Sequence, residues 1–473
     1  MLKIGRTLLS VILAMGLSRP ALSEPQPDEL LPDAARERLT QQEIVAGDLS
    51  LIELRRAGMT IFTRPFNHAD GYGDGPPDMA DPTTPGGRPT LQGNGSFLRV
   101  NGLDAQTCLE CHSLVSMGTR PPIFGIGGAG AIASSALFMP RNIDVSDQLA
   151  MGRASIDGRL INPVSLFGAG GVQAVGREMT GDLQTLKTRA LENPGLAVRL
   201  ISKEVDFGVI VADKTGGLDN SGIEGIDDDL VVRPFGRKGE FATLRQFDQV
   251  AMMFHLGIQP VEIFGPGVDD DGDGVANEIL VGEMSALEIF IATQDSPVQL
   301  RGDREITAGS GLFETAGCVD CHRPMLTTES PYLGFDFPVV DDRPGANLYF
   351  KIDLRRNPAR LRPAAKGGVE VPLFSDLKRH DMGAGLAEDF ALLSEQANRE
   401  FITAKLWGVA DTAPYLHDGR ALTLEEAIDL HGGEARAARD RFLALDQRQQ
   451  KQVIVFLKSL RNPRNPNSDT LAN

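Results

Sequence analysis

The chain has 473 residues, too many for one ordinary core, so two or three domains are expected at roughly 150 residues each. Apolar residues make up 41% and charged residues 23%, and the formal net charge is −17. This lacks the Lys and Arg excess that neutralises phosphates, which excludes a nucleic-acid binder and favours a basic protein partner. The 52 Gly and 29 Pro are too few for a disordered or collagen-like chain and point to many ordered loops.

At the start, Lys3 and Arg6 precede the apolar run Leu8–Met15, and Ala21-Leu22-Ser23 offers small residues for cleavage. This predicts a secretory leader over residues 1–23, cleaved near Ser23, and an exported, periplasmic product. No stable membrane anchor is expected, because the run is far short of the ~20 residues of a span. Residues 24–56 read as an acidic lead-in, with a short helix over 41–57, and residues 63–100 as an ordered loop rich in Gly, Pro and Asp. The stretch Gly125-Ile-Gly127-Gly128-Ala-Gly130 lacks the strand and the Lys-Ser/Thr of a phosphate loop, so it reads as closely packed backbone. Met284, Leu287, Phe290 and Ile291 have helical spacing and open a second unit near residue 285; Leu312, Phe313 and Ala316 form an apolar face just after it. Thr423-Leu-Glu-Glu426 is a capping box, predicting a helix over 424–431 that Gly432-Gly433 stops. Val453, Phe456, Leu457 and Leu460 form a final amphipathic stripe, and residues 464–473 should fray.

All four cysteines fall in two copies of one pattern, Cys108-Leu-Glu-Cys111-His112 and Cys318-Val-Asp-Cys321-His322, 210 residues apart. Two thiols at this spacing add to the two vinyl groups of a haem, and the adjacent imidazole lies under the iron. The competing readings are a thioredoxin-like pair, two strained disulfides and one four-cysteine zinc site. With only seven histidines in the chain, one after each pair favours two covalently bound haem c groups. Cys108, Cys111, Cys318 and Cys321 are then the attachment points, and His112 and His322 the proximal iron ligands. The glycines at 125–130 would pack close to a porphyrin face. The expected fold is mainly α, with two cytochrome-c-like helical domains (24–284 and 285–463) and long ordered loops.

The segments His380-Asp-Met-Gly, Leu406-Trp-Gly408, Thr412-Ala-Pro-Tyr-Leu-His417-Asp-Gly-Arg420 and Thr423-Leu-Glu-Glu-Ala-Ile resemble the bacterial di-haem cytochrome c peroxidase superfamily. The similarity is greatest to its di-haem oxidoreductase branch, sometimes labelled thiol oxidoreductases, and it covers roughly residues 60–460. The resemblance implies an N-terminal haem where peroxide reacts and a C-terminal haem that passes electrons to it. The distal methionine of the C-terminal haem in these peroxidases falls fourteen residues after the histidine at position 417, which here is His431; a helix-end histidine interacting with the dipole is the alternative. Two imidazoles favour ferric iron more than a His/Met pair, so a lower potential is implied. His417 is expected near a haem, Arg420 beside a propionate, and Trp407 between or beside the haems, or as an ordinary buried aromatic.

At the N-terminal haem the chain departs from the family. Between Ser113 and Ser155 there is no histidine, and Met117 is a weak ligand candidate. The family's distal block resembles Phe235-Gly236, Ala242-Thr243-Leu244 and Gly257-Ile258. Counted without gaps from Leu244, its glutamine falls on Phe247 and its acid on His255. His255 is therefore a candidate acid/base, a candidate distal ligand or a core histidine, with Glu240 and Gln173 as other candidates for the acid.

Two calcium candidates follow. Thr412-Ala413-Pro414 matches the family's inter-haem calcium segment, with Asn142, or else Asn162, supplying the amide. Separately, Asp269, Asp271 and Asp273 stand at positions 1, 3 and 5 of an EF-hand-like loop with Gly274 at 6. Position 12 is Leu280, so the bidentate ligand must be Glu278 or Glu283, and a solvated acidic turn is the other reading. His68 and His380 carry no role beyond a structural one. The expected function is a peroxidase-like oxidoreductase that takes electrons from a small basic redox protein, a cytochrome c or cupredoxin, and reduces peroxide or oxidises a partner. The alternatives are a pure electron-transfer cytochrome with both irons six-coordinate, and oxygen-dependent oxidation of an organic substrate.

Overall fold

Thr40 with Glu43 and Ser50 with Glu53 form two separate capping boxes, so the helix expected over 41–57 is two. These are α1 (Gln41–Ala46), ended at Gly47 with φ 78°, and α2 (Leu51–Thr63). The computed structural model describes residues 38–66, 68–72, 107–112, 137–144, 155–356, 358–388 and 394–471. The leader at 1–23, Met117, Gly125–Gly130 and most of the 63–100 loop lie outside these. The remaining helices are α3 (Ala169–Glu192), α4 (Leu244–Ala251), α5 (Val261–Phe264), α6 (Val281–Ala292), α7 (Arg304–Thr315), α8 (Glu395–Arg399), α9 (Leu424–Asp429), α10 (Arg436–Leu443), α11 (Gln447–Leu457) and α12 (Ser468–Leu471). Among the described residues none is long and apolar enough to cross a membrane.

Two helix crossings of the same design organise the chain. In the first, Gly58 of α2 lies against the Ala286 carbonyl of α6, where any Cβ would overlap that oxygen, and Phe62 meets Phe290 with ring centroids 5.5 Å apart. In the second, Gly309 of α7 lies against the Gln452 carbonyl of α11, and Phe313 meets Phe456 at 5.3 Å. A glycine four residues before a phenylalanine lets the helix axes approach until the rings interlock. Each crossing stands before a Cys-x-x-Cys-His motif: α2 at a distance, α7 directly. The helix α6 straddles the boundary expected at 284/285, and its partner is α2.

The mainly α expectation does not hold. Helix accounts for 39% and strand for 15%, the strand spread over several small sheets. Strands β1 (Leu137–Asp144) and β2 (Ser155–Ile161) pair antiparallel, as do β3 (Ala197–Ser202), β4 (Val205–Ala212) and β5 (Leu218–Asp219) in order. Among the described residues, nine further strands between Val298 and Arg461 make four more sheets. Along β3 burial alternates strictly, with Val198, Leu200 and Ser202 turned inward onto α3. Strands this short give period-2 signals too brief to stand out against the surrounding loops. The tail expected to fray is pinned instead: fully buried Arg55 donates to Asn467 Oδ1 at 3.0 Å and to Asp469 at 3.1 Å.

A buried charge network bolts α4 to α5 and α6. Arg245, fully buried, donates to Glu262, to Ser285 Oγ at 2.7 Å and to the Val281 carbonyl at 3.1 Å, and stands 3.5 Å from Glu288. Its guanidinium also covers the Phe337 ring at 4.5 Å. Three carboxylates thus face one arginine, and burial raises Asp248 and Glu288, the latter to about 7. The chain from Thr243 onward, which leads to His255, therefore starts from a rigid base.

Candidate haem sites

The C-terminal motif is a 3-10 turn, Cys318–Asp320, entered through Gly317 at φ 82° as α7 ends. His322 N–H closes the turn on the Cys318 carbonyl at 2.9 Å, and neither thiol is in a disulfide. The His322 ring contacts Phe313 at 6.4 Å and donates from Nδ1 to the Phe374 carbonyl at 3.1 Å. Phe374 holds φ 55°, an uncommon conformation for a bulky side chain, and the protein maintains it where that carbonyl meets the histidine.

Opposite stands His431, two residues past α9, whose Thr423–Glu426 capping box forms as expected. His431 Nδ1 donates to the Ala427 carbonyl at 2.7 Å. The His322 and His431 ring centroids are 6.5 Å apart. With Nδ1 committed on both rings, each keeps a lone pair on Nε2. One metal between two imidazoles, at about 2 Å per metal–nitrogen bond, separates the ring centroids by roughly 6 Å. The arrangement fits an iron held from both sides. Burial lowers both imidazoles, His322 to about 4, which favours the neutral form that ligation requires.

The N-terminal motif repeats the first half of this design. Cys108–Glu110 is a 3-10 turn, His112 N–H meets the Cys108 carbonyl at 2.9 Å, and the His112 ring contacts Phe62 at 6.5 Å. Its ring bonds the Val164 carbonyl, while burial first, and then the neighbouring His255, lower it to about 4. The second half differs. His255 is half-buried in a π-helical turn, Met252–Leu256, that continues α4 and ends at Gly257 with φ 70°. One-turn π segments recur at functional sites because they re-aim a side chain. A cavity beside the Val164 strap is lined by Phe167, Phe235, Phe247, Lys405 and Trp407. Phe247 thus stands in the cavity at the position counted for the family's glutamine.

The other candidates fall in distinct places. Gln173 is fully buried in α3, accepts Leu244 N–H at 2.8 Å and faces Glu288, so it is a strut between helices. Glu240 is exposed and accepts Lys238 N–H at 2.9 Å in the turn after Phe235. Trp407 is buried against Gly168 and lines this cavity, in the same core as Phe167 and Phe235. His417, lowered by burial, packs on Phe401 at 4.6 Å. Arg420 pairs with Asp418 and donates to the Gly385 carbonyl at 2.9 Å. His380 bonds Asp376 at 2.8 Å and Glu434 at 2.7 Å.

Of the two candidate asparagines, Asn162 meets the Thr412–Pro414 segment. The Asn162 amide donates to the Pro414 and Leu416 carbonyls at 2.7 and 2.9 Å, and its buried Oδ1 has no hydrogen-bond partner. Asn142 lies in β1, with its side chain outside the described residues; Thr412 Oγ1 donates to the Val409 carbonyl at 3.3 Å. Lys405 was not foreseen. Burial lowers its ammonium to about 8, its Nζ donates to the Pro234 carbonyl at 3.0 Å, and nothing in its local sequence marks it.

Residues 362–460 match the family described as "Di-haem oxidoreductase, putative peroxidase", and these residues contain His417 and His431. Over these residues the chain is similar to the di-haem peroxidase-like family. The chain is 30% identical over 209 residues to the cytochrome-c peroxidase IdrP2 of Pseudomonas sp. (strain SCT), covering 41% of this chain and 50% of that one. To the protein of the same name from Denitromonas iodatirespirans it is 26% identical over 189 residues, covering 38% and 45%. It thus spans about half the length of the curated relatives it matches. Among solved structures, Kuenenia stuttgartiensis hydrazine synthase (pressurised with xenon) aligns with a TM-score of 0.32 and 14% identity over 94% of this chain and 100% of that one. A MauG-like protein associated with microbial copper homeostasis aligns at 0.28 and 17%, over 63% and 90%.

Proposed function

We propose that this chain is an exported, periplasmic di-haem c-type oxidoreductase of peroxidase type. Cys108 and Cys111 would hold one haem, with His112 as its proximal ligand; Cys318 and Cys321 would hold the other, between His322 and His431. When bound, the two haems supply one-electron transfer and an iron at which peroxide can be cleaved. Electrons would enter at the C-terminal haem from a small basic redox protein, as the net charge of −17 suits, and peroxide would be reduced at the N-terminal one. The relatives named cytochrome-c peroxidases support this reading over half their length.

The observation that carries it is the inequality of the two motifs. His322 faces His431, a half-buried histidine whose ring centroid is 6.5 Å away and whose Nδ1 is already committed, which suits a closed relay. His112 has half-buried His255 as its neighbour, on a π-helical turn, and its partner Val164 lines a cavity, which suits an open site. There His255 would accept a proton from one peroxide oxygen and return it to the other. Lys405, a cation lining that cavity, would hold a haem propionate. The Thr412–Pro414 segment with Asn162 would hold the inter-haem calcium of the family.

Spectra of the oxidised holo-protein test the reading. One low-spin and one high-spin haem are expected, with steady peroxide loss when a reduced c-type cytochrome is supplied. Two low-spin haems without turnover would mean a pure electron-transfer protein. His431→Ala should leave both haems attached, abolish the bis-imidazole EPR signal and raise the midpoint potential of that haem. An unchanged signal and potential would remove His431 from the ligand set.

A further inference from the structure

The acidic loop Asp269–Glu278, between α5 and α6, plays no part in the haem reading. Ligand oxygens of Asp269, Asp271 and Asp273 all lie within 4.8 Å of one another. Asp271 is 7% exposed and its Oδ2 has no hydrogen-bond partner; Glu278 is 3% exposed and its Oε1 has none. Buried carboxylate oxygens without donors are costly unless a cation meets them. All three aspartates act on Glu278 electrostatically, so its carboxylate stands in the field of the aspartate trio.

Neighbouring groups show which glutamate belongs to it. Glu283 is engaged elsewhere, bonding Arg38 Nε at 3.0 Å and capping Leu280 N–H at 2.8 Å. Glu278 keeps one oxygen free; its other oxygen accepts Gln259 N–H at 2.7 Å. Gln259 Oε1 in turn accepts Asp270 N–H at 3.1 Å, and Val261 N–H meets the Ile279 carbonyl at 3.0 Å. The loop is thus laced to residues 259–261, directly after the turn that carries His255. Gly71, at φ 87°, lies against the Glu278 carboxylate, where any Cβ would overlap it. This joins the segment that precedes the first Cys-x-x-Cys-His motif to the same point.

We propose that Asp269, Asp271, Asp273 and Glu278 bind one Ca²⁺, which fastens the His255 turn and the Gly71 segment to the start of α6. An all-oxygen set of four carboxylates on an irregular loop suits Ca²⁺ rather than the strict octahedron of Mg²⁺ or the softer preferences of transition metals. This site is separate from the Asn162–Pro414 segment. It stands on the loop alone, so it survives if the peroxidase reading fails.

The holo-protein, shown by pyridine haemochrome to carry its haem, is stripped with a chelator and titrated with CaCl₂ by calorimetry and thermal melting. Wild type should bind Ca²⁺ and melt higher with it. Asp271→Asn and Glu278→Gln should each lose one equivalent and its melting shift. Asp273→Asn, at a half-buried position, should keep its haem and weaken binding at least tenfold. Calcium held elsewhere would persist in all three variants. Stripping should also change the visible spectrum of the N-terminal haem in wild type and not in Asp271→Asn. Equal stoichiometry and equal melting shifts in variants and wild type would overturn the proposal, as would wild type that binds nothing at millimolar Ca²⁺ or takes Mg²⁺ equally well.

Discussion

His255→Ala is expected to slow peroxide turnover by about 100- to 10,000-fold, the usual worth of a positioned proton-transfer group. The expectation rests on the π-helical turn that aims His255 and on its electrostatic effect on His112. His255→Glu, which restores the acid expected at this position, should recover much of the rate, because a carboxylate can shuttle the same proton. Stopped-flow peroxide loss, followed with the spin state of the N-terminal haem, decides the matter. Were His255 an iron ligand, wild type would be low-spin and sluggish, and the alanine variant would be faster. Identical rates and spin states would reduce His255 to a core residue.

The second large effect is on stability. Arg245→Met should destabilise the fold by about 3–5 kcal/mol, because it leaves Glu262 and Glu288 buried without their cation. Urea unfolding of the haem-loaded protein measures this, and a loss below about 1 kcal/mol would show that the network relaxes freely. The same network sets a pH trend. Burial raises Glu288 from its ordinary 4.5 to about 7, so its contribution is fully present below the unfolded value and is lost as pH rises through about 7. Raised Asp248 acts in the same direction. The network's share of stability should therefore be larger at pH 5 than at pH 8, and Arg245→Met, which removes the charge that favours ionised Glu288, should steepen the dependence.

The parts of the sites visible in the sequence are those whose chemistry forces neighbouring positions together. Two thiols and an imidazole must share one turn, so both haem motifs stood out. His431 follows from a fixed spacing after His417, and its capping box forms as expected. The Phe374 and Val164 carbonyls were hidden, since any residue supplies a backbone oxygen and only tertiary folding brings it to a histidine. Choosing Glu278 over Glu283 needed Arg38, which lies 245 residues from Glu283. Arg245 is polar in a short helix, which reads as surface, yet it is fully buried. The small sheets were missed because their strands are short; β5, for example, is Leu218–Asp219 alone.

The two Gly–Phe crossings, alike in form, close over different stretches of chain. Gly309 must wait for Gln452, 143 residues on, with the second Cys-x-x-Cys-His motif and α8 to α10 in between, and Gly58 for Ala286, 228 residues on, with the first motif and all of α3 to α5 in between. A longer loop adds little to the equilibrium cost, since each doubling is worth only about 0.6 kcal/mol, but it slows the search. As the chain emerges N-terminus first, each Cys-x-x-Cys pair is therefore presented before its crossing can close, and the wait is longer at Cys108 and Cys111. Were haem attached there, an assembly factor would have an interval in which to reach both thiols before the helices meet.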